Sequence, residues 1–130
     1  MPTLQLKLHP AQTPQRHALL AEALTAIAAR VLGKRPEVTA VLVDELPAGR
    51  WFVAGAAPAR ATALLQIRIT TGTNTPVEKA DFIAAAFAEL QQQLGPLEPA
   101  SYVVVHELAA SDWGYGGVTQ EARRHTRTPA

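Results

Sequence analysis

Thr3-Leu4-Gln5-Leu6-Lys7-Leu8 returns 61 residues later as Leu64-Leu65-Gln66-Ile67-Arg68-Ile69. In the first copy Leu4, Leu6 and Leu8 alternate with Thr3, Gln5 and Lys7, the period-2 pattern of a strand buried on one face. Further along, the two copies stay in step at a shift of 62. Thr13-Pro14 pairs with Thr75-Pro76, Leu32-Gly33 with Leu94-Gly95, and Asp44-Glu45-Leu46 with His106-Glu107-Leu108. The only two tryptophans, Trp51 and Trp113, stand at the same shift. One inserted residue before Thr75 accounts for the change from 61 to 62. A shift held across a whole half marks an internal duplication.

Each copy reads as strand, helix, strand. Thr13 supplies an N-cap oxygen and Pro14 suits the first helical turn. Leu19, Leu20, Ala23, Leu24, Ile27 and Val31 recur at helical spacing, and Gly33 is the stop. A strand rich in β-branched residues is predicted over 38–44. In the second copy Thr75-Pro76-Val77-Glu78 is a capping box. Phe82, Ile83, Ala86, Phe87 and Leu90 form the apolar face there, Gly95-Pro96 ends the helix, and a strand is predicted over 102–105. RWFVAG at 50–55 and DWGYGG at 112–117 read as tight hairpins.

These elements predict a single α+β domain over 1–130, a two-layer sandwich of tandem β-α-β units. The units span 2–55 and 63–118, with a linker at 56–62 and a tail at 119–130. Right-handed crossovers place both helices on one face of a four-stranded sheet. The other face carries Thr3, Gln5, Lys7, His9, Leu64, Gln66, Arg68 and Thr70. An open sheet face on so small a chain is expected to be covered by oligomerisation.

The chain has 130 residues, 48% of them hydrophobic and 18% charged, enough for a packed core. Its net charge of +1 gives no reason to expect nucleic acid or an acidic membrane as partner. Cysteine is absent, which excludes disulfides, thiolate zinc sites and thiol catalysis. The four histidines show no metal-ligand spacing, and no phosphate-binding glycine loop occurs. Neither metal nor cofactor is expected. The opening lacks a basic, then apolar, signal pattern, and no apolar run approaches the ~20 residues that span a bilayer. A cytoplasmic protein is expected.

Pro2 follows the initiator methionine at the start of the first strand. Removal of Met1 would leave a secondary amine, and α-amino groups titrate near 7.7–8.0. A dry site or a nearby cation lowers that value further. The neutral amine is a competent general base near neutral pH.

With this proline, the first strand PTLQLKL, a helix, a strand ending Asp44-Glu45-Leu46 and an aromatic hairpin, residues 2–118 resemble the 4-oxalocrotonate tautomerase group of the tautomerase superfamily. The repeat resembles its fused two-unit members, such as malonate semialdehyde decarboxylase and cis-3-chloroacrylic acid dehalogenase. The segment Ser111-Asp112-Trp113-Gly114-Tyr115-Gly116 is similar to the decarboxylase pattern. The resemblance implies a tautomerase/MIF-like fold, a homotrimer, Pro2 as catalytic base, and a small 2-oxo acid or its enol as substrate. The second unit has Ala63 or Leu64 where the proline would be, so one of the two related sites per chain is expected to act.

The family's substrate-binding arginines are missing. Gln12, Thr73 or Asn74, Ala40 and Tyr102 stand at two of the matching places, and Thr70 and Thr73 at those of the dehalogenase-like arginines. Threonine and asparagine bind a carboxylate without neutralising it, unlike a bidentate guanidinium. Thr70, Thr73 and Asn74 are therefore expected to orient the carbonyl end, and Trp113 and Tyr115 to wall the pocket. Tyr102 is a candidate hydrogen-bond donor. Arg68, on the face of Thr70, is one candidate cation. The tail, with Arg123, Arg124, His125 and Arg127, is read as a basic disordered end and as the other. His9 and His106 are read as polar residues of strand end and interface. The expected activity is keto-enol or 1,3-proton transfer. A decarboxylase or hydratase of the same superfamily and a non-catalytic oligomeric binding module are the alternatives.

Overall fold

The computed structural model describes residues 2–127, and side chains as far as His125. Met1 and residues 128–130 lie outside the described residues, as do the side chains of Thr126 and Arg127. Removal of Met1 and the Arg127 part of the basic tail therefore have no structural counterpart here.

Strand β1 (Thr3–His9) leads into helix α1 (Pro14–Leu32) and strand β2 (Ala40–Glu45). Strand β3 (Thr62–Thr70), helix α2 (Pro76–Leu94) and strand β4 (Tyr102–Leu108) repeat the motif. The sheet order is β2-β1-β3-β4. Within each unit the strands are parallel, and the inner strands β1 and β3 run antiparallel, with Leu4 opposite Ile67 and Leu6 opposite Leu65. The duplication thus forms one continuous sheet with a pseudo-twofold axis between β1 and β3.

Both helices cover one face, as the sequence predicts. Leu4, Leu6, Leu8, Leu65, Ile67 and Ile69 are fully buried against Leu20, Leu24, Phe82 and Ala86. The apolar stripes are narrower than the sequence pattern suggests. Leu19 is 50% and Ile83 40% exposed at their margins. The helix starts follow the predicted chemistry. Thr13 Oγ1 accepts from the Arg16 amide, and Thr75 and Glu78 complete the reciprocal capping box. Gly33 ends α1 at φ +70°, the left-handed conformation in which two amides fold back onto the last helical carbonyls.

The second strand corrects the sequence reading. It spans Ala40–Glu45, while Pro36–Val38 forms a 3-10 turn. Pro36 fixes φ, and Thr39 Oγ1 donates to the Arg35 carbonyl at 2.7 Å, closing the turn before the sheet begins. Strand β4 runs to Leu108, beyond the predicted 105. At 50–55 the predicted tight hairpin reduces to a single antiparallel bridge, Val53 to Ala56. At the second hairpin, β5 (Gly114–Tyr115) pairs with β6 (Val118–Thr119). A Cβ on Gly114 would collide with the Val118 carbonyl, so only glycine permits this approach. The tail is not irregular over its described part: it forms helix α3 (Gln120–Arg127).

Two carboxylates tie helix starts to the fold. Glu45 Oε2 accepts from the Gln12 amide at 2.6 Å and lies 2.7 Å from His17 Nε2. The Gln12 amide, then His17, hold the Glu45 carboxyl below the usual carboxylate range. The Thr75 amide, then Asn74, do the same for Glu78. A depressed carboxyl pKa stabilises the fold above the unfolded value, near 4.3, and the stabilisation disappears as pH falls through the folded value. The thermal midpoint is therefore expected to hold down to about pH 5 and fall below about pH 4, and Glu45→Gln should flatten that fall. Calorimetric scans from pH 3 to 7 check this; an unchanged acid limb in the variant would refute it.

Candidate active site

Chain direction assembles one edge of the sheet. Strand β1 starts there, and its first neighbour is fixed by the Ala40 amide donating to the Pro2 carbonyl at 3.3 Å. Pro2 itself is buried. Because β2 is parallel to β1, helix α1 must return to this edge, and it delivers Gly33 and Lys34 there. Because β3 is antiparallel to β1, its end, Thr70, and the following turn to Thr75 arrive at the same edge.

A chain of hydrogen bonds runs along this edge. Lys34 Nζ donates to Thr73 Oγ1 at 3.0 Å, and Thr73 Oγ1 donates to the Thr70 carbonyl at 2.7 Å. Trp113 Nε1 donates to Thr70 Oγ1 at 3.1 Å, which brings the aromatic hairpin of the second unit across the end of β3. Lys34 is only 9% exposed. Burial pushes its ammonium below the ordinary lysine value, and the Glu78 carboxylate opposes that shift. No carboxylate lies within ion-pair distance of it among the described residues. This edge thus carries a strand-initial proline, a buried ammonium, hydroxyls and an indole wall.

The family model described as "Tautomerase enzyme" matches residues 2–61, the unit that begins with Pro2. A native fused 4-OT structure is 26% identical over 92% of this chain and 97% of its own, with a TM-score of 0.80. The first unit thus matches the tautomerase family, and the whole chain has the fold of a fused two-unit 4-OT. A fused 4-OT described as a symmetric trimer is 24% identical, covering 93% of this chain and 98% of its own at a TM-score of 0.84. N1, a member of the cis-3-chloroacrylic acid dehalogenase family, is 20% identical, with coverages of 98% and 92% and a TM-score of 0.82. No curated protein matches the chain in sequence.

The candidates named from sequence divide between the two ends of the sheet. Thr70, Thr73, Asn74 and Trp113 lie at the Pro2 edge. Asn74 Nδ2 is already engaged, donating to the Leu32 carbonyl at 3.0 Å and to Glu78 Oε1 at 3.3 Å, so it braces the end of α1. Tyr115, in the same hairpin as Trp113, has the Arg123 guanidinium 3.8 Å over its ring, and Arg123 Nη2 donates to its carbonyl at 2.7 Å. The basic tail accordingly packs on the hairpin. Arg68 lies on the open sheet face, donating to Gln5 Oε1 at 2.9 Å. Tyr102 does not share the Pro2 edge within a chain. It pairs with Leu64 at the start of β3, beside Trp51 at the opposite end. The parallel register of β3 and β4 dictates that position. His9 Nδ1 lies 2.9 Å from the Leu46 carbonyl at this opposite end.

Lys34 was not among the sequence candidates. Its signal was the residue after the glycine stop of the first helix, which any parallel β-α-β unit returns to the start of its first strand. The second unit has Pro96 at the corresponding place, so the ammonium belongs to one edge only. Among the described residues no cluster of three or more His, Asp or Glu side chains could hold a metal ion, and no helix is long and apolar enough to cross a membrane.

Proposed function

We propose that this protein is an isomerase that moves a proton between carbon and oxygen, or between two carbons, of a small 2-oxo acid or its enol. Pro2, with Met1 removed, is the base. The reading is carried by one observation: the buried Lys34 ammonium shares the sheet edge with the start of β1, linked through Thr73 and Thr70 to Trp113. A cation at this edge favours the neutral amine over the charged one and supplies the charge that the family arginines would bring. Lys34 receives the substrate carboxylate, Thr70 orients the carbonyl end, and Trp113 and Tyr115 exclude water. The Pro2 nitrogen takes the proton and returns it as the conjugate acid. Trimerisation covers the open sheet face, in keeping with the fused 4-OT trimer of the same fold.

The test is ultraviolet-monitored ketonisation of phenylenolpyruvate and 2-hydroxymuconate. Lys34→Met is expected to raise KM about 10–100-fold, the usual effect of losing a charge-assisted contact in a dry site. Its thermal midpoint should change little, because burial already disfavours the charge there. The kcat/KM profile should rise as the Pro2 amine loses its proton. It should fall as Lys34 loses its own, below the ordinary lysine value, and this alkaline limb should vanish in Lys34→Met. An unchanged KM and alkaline limb in the variant would refute the carboxylate-binding role, and no turnover of either enol would refute the isomerase reading.

A further inference from the structure

The duplication supplies an internal control for the residues around Lys34. At the shift of 62, Lys34 corresponds to Pro96 and Glu78 to Arg16. Helices α1 and α2 each run for 19 residues, and each is capped by a threonine hydroxyl. Helix α1 has no acidic residue in its first turn, so it starts without the acid of a capping box. A helix of this length thus needs no such acid, and the position of Glu78 calls for a second reason. The acid stands at the edge of the sheet that carries the buried ammonium. Where proline replaces the lysine, arginine replaces the acid.

Geometry supplies that reason. The Gly33 amide donates to the Ala29 carbonyl and the Lys34 amide to the Ala28 carbonyl, which fixes where Lys34 leaves the helix. Asn74 Nδ2 joins the two helices, donating to the Leu32 carbonyl at 3.0 Å and to Glu78 Oε1 at 3.3 Å. Glu78 Oε1 also accepts from the Thr75 amide at 2.8 Å, so the carboxylate is held beside the turn that receives Lys34. In that turn Lys34 Nζ donates to Thr73 Oγ1 at 3.0 Å. Lys34 and Glu78 do not approach within ion-pair distance of each other. The carboxylate therefore acts on the ammonium through space without taking its hydrogens. One of the three ammonium hydrogens goes to Thr73, and the others remain for an incoming carboxylate.

The other charges on the neighbouring elements are paired or exposed. Arg35 pairs with Glu37, and Lys79 with Glu107. Arg30 and Asp81 are exposed. The Pro2 amine is a further titrating group at this edge, and its charged form would oppose the charge on Lys34. Burial works against the ammonium, and Glu78 is the charge that works for it.

We propose that Glu78 is a positioning residue of the active site, a fixed counter-charge that acts through Lys34 and leaves the ammonium hydrogens to the substrate carboxylate. The inference rests on the reading of Lys34 as the carboxylate site.

Glu78→Gln is the test, because glutamine closes the same capping box without the charge. The first readout is the proton titration of Lys34 by NMR, in full-length protein with isotope-labelled lysine. The chain has three lysines, Lys7, Lys34 and Lys79, and Lys34→Met assigns the signal. In Glu78→Gln, Lys34 should lose its proton at a lower pH than in the wild type. Glu78→Asp, which restores the charge on a shorter arm, should recover most of the difference. Thr75→Ala is the structural control. It removes the oxygen of the cap and keeps the carboxylate, so it should lower the thermal midpoint by roughly 2–8 °C and leave the titration in place. The second readout is KM for phenylenolpyruvate. At pH 9 it should rise about 3–10-fold in Glu78→Gln, since a neutral amine binds a carboxylate more weakly than an ammonium does. At pH 6, where Lys34 keeps its proton with or without Glu78, KM should be unchanged or lower, because a negative charge near the substrate has gone. A purely structural role would move KM alike at both pH values. An unchanged Lys34 titration in Glu78→Gln overturns the proposal, whether or not the enzyme turns over. So does a shifted titration with equal changes in KM at both pH values. Absence of turnover in the wild type refutes the isomerase reading instead, and the titration still decides whether Glu78 sets the charge on Lys34.

Discussion

A chain whose Pro2 amine is blocked is expected to lose about 10²–10⁴-fold in kcat/KM, the contribution of a positioned general base. Two preparations achieve this: protein that retains Met1, and protein extended by one glycine before Pro2. In both, the nitrogen becomes an amide, whose lone pair is delocalised into the carbonyl and takes no proton at neutral pH. Pro2→Ala is the milder variant. It leaves a primary amine at the same strand start, so its loss should be smaller, about tenfold or more. The ordering matters more than either value: blocked amine below alanine, alanine below wild type. Pro2 immediately precedes the central strand β1, and its carbonyl is held by the Ala40 amide, so the substitution should not disturb the sheet. Intact mass confirms the terminus, and enol ketonisation reads the rate. Full activity in protein shown to retain Met1 would eliminate Pro2 as the base.

Phe82→Ala is expected to cost about 3–5 kcal/mol, the largest stability loss of any single truncation considered. Phe82 is fully buried on α2 and has the largest side chain in the core. Its removal loses transfer energy and leaves a cavity between helix and sheet that close packing cannot refill. On a domain of this size the thermal midpoint should drop by roughly 10–20 °C. Val77→Ala on the same helix is the control. Val77 is 69% exposed, so its loss should stay within about 0.5 kcal/mol. Equal losses from the two variants would contradict the core described above.

The fold was legible because the local signals agreed with one another. Alternation in β1 and β3 marks strands with one covered face, and Thr13, Gly33, Thr75 and Glu78 mark the helix ends through side-chain chemistry that needs no tertiary context. The weaker elements escaped because packing decides them. Pro36-Glu37-Val38 has β-branched character at its end, yet the Thr39 hydroxyl closes a turn there. Helix α3 has no apolar stripe in its sequence; Arg123 against Tyr115, and the Gln120 and Glu121 amides donating to the Trp113 and Ala110 carbonyls, are among the contacts that anchor it. The candidate site was half legible. Strand order carries Thr70 and Thr73 to Pro2, and that order follows from the repeat. Lys34 lies outside any strand or motif and reaches the site only through the return of α1. Tyr102 matches a family position by alignment, but alignment does not say at which end of the sheet, within a chain, that position lies.

The two inner strands belong to different units, and the register joins Leu4 to Ile67. During synthesis the first unit is therefore complete, with β1 paired to β2, while the other edge of β1 still has nothing to bond. At ribosomal rates of about 5–20 residues per second, β3 follows about 1–5 seconds later. For that interval an inner strand with a leucine-rich face is an open edge, the kind of surface on which nascent chains associate. Lys7, pointing away from the leucines in the middle of β1, is the one charge on that strand while it waits. The seam that unites the two halves also makes the first half a transient hazard to its neighbours on the same messenger.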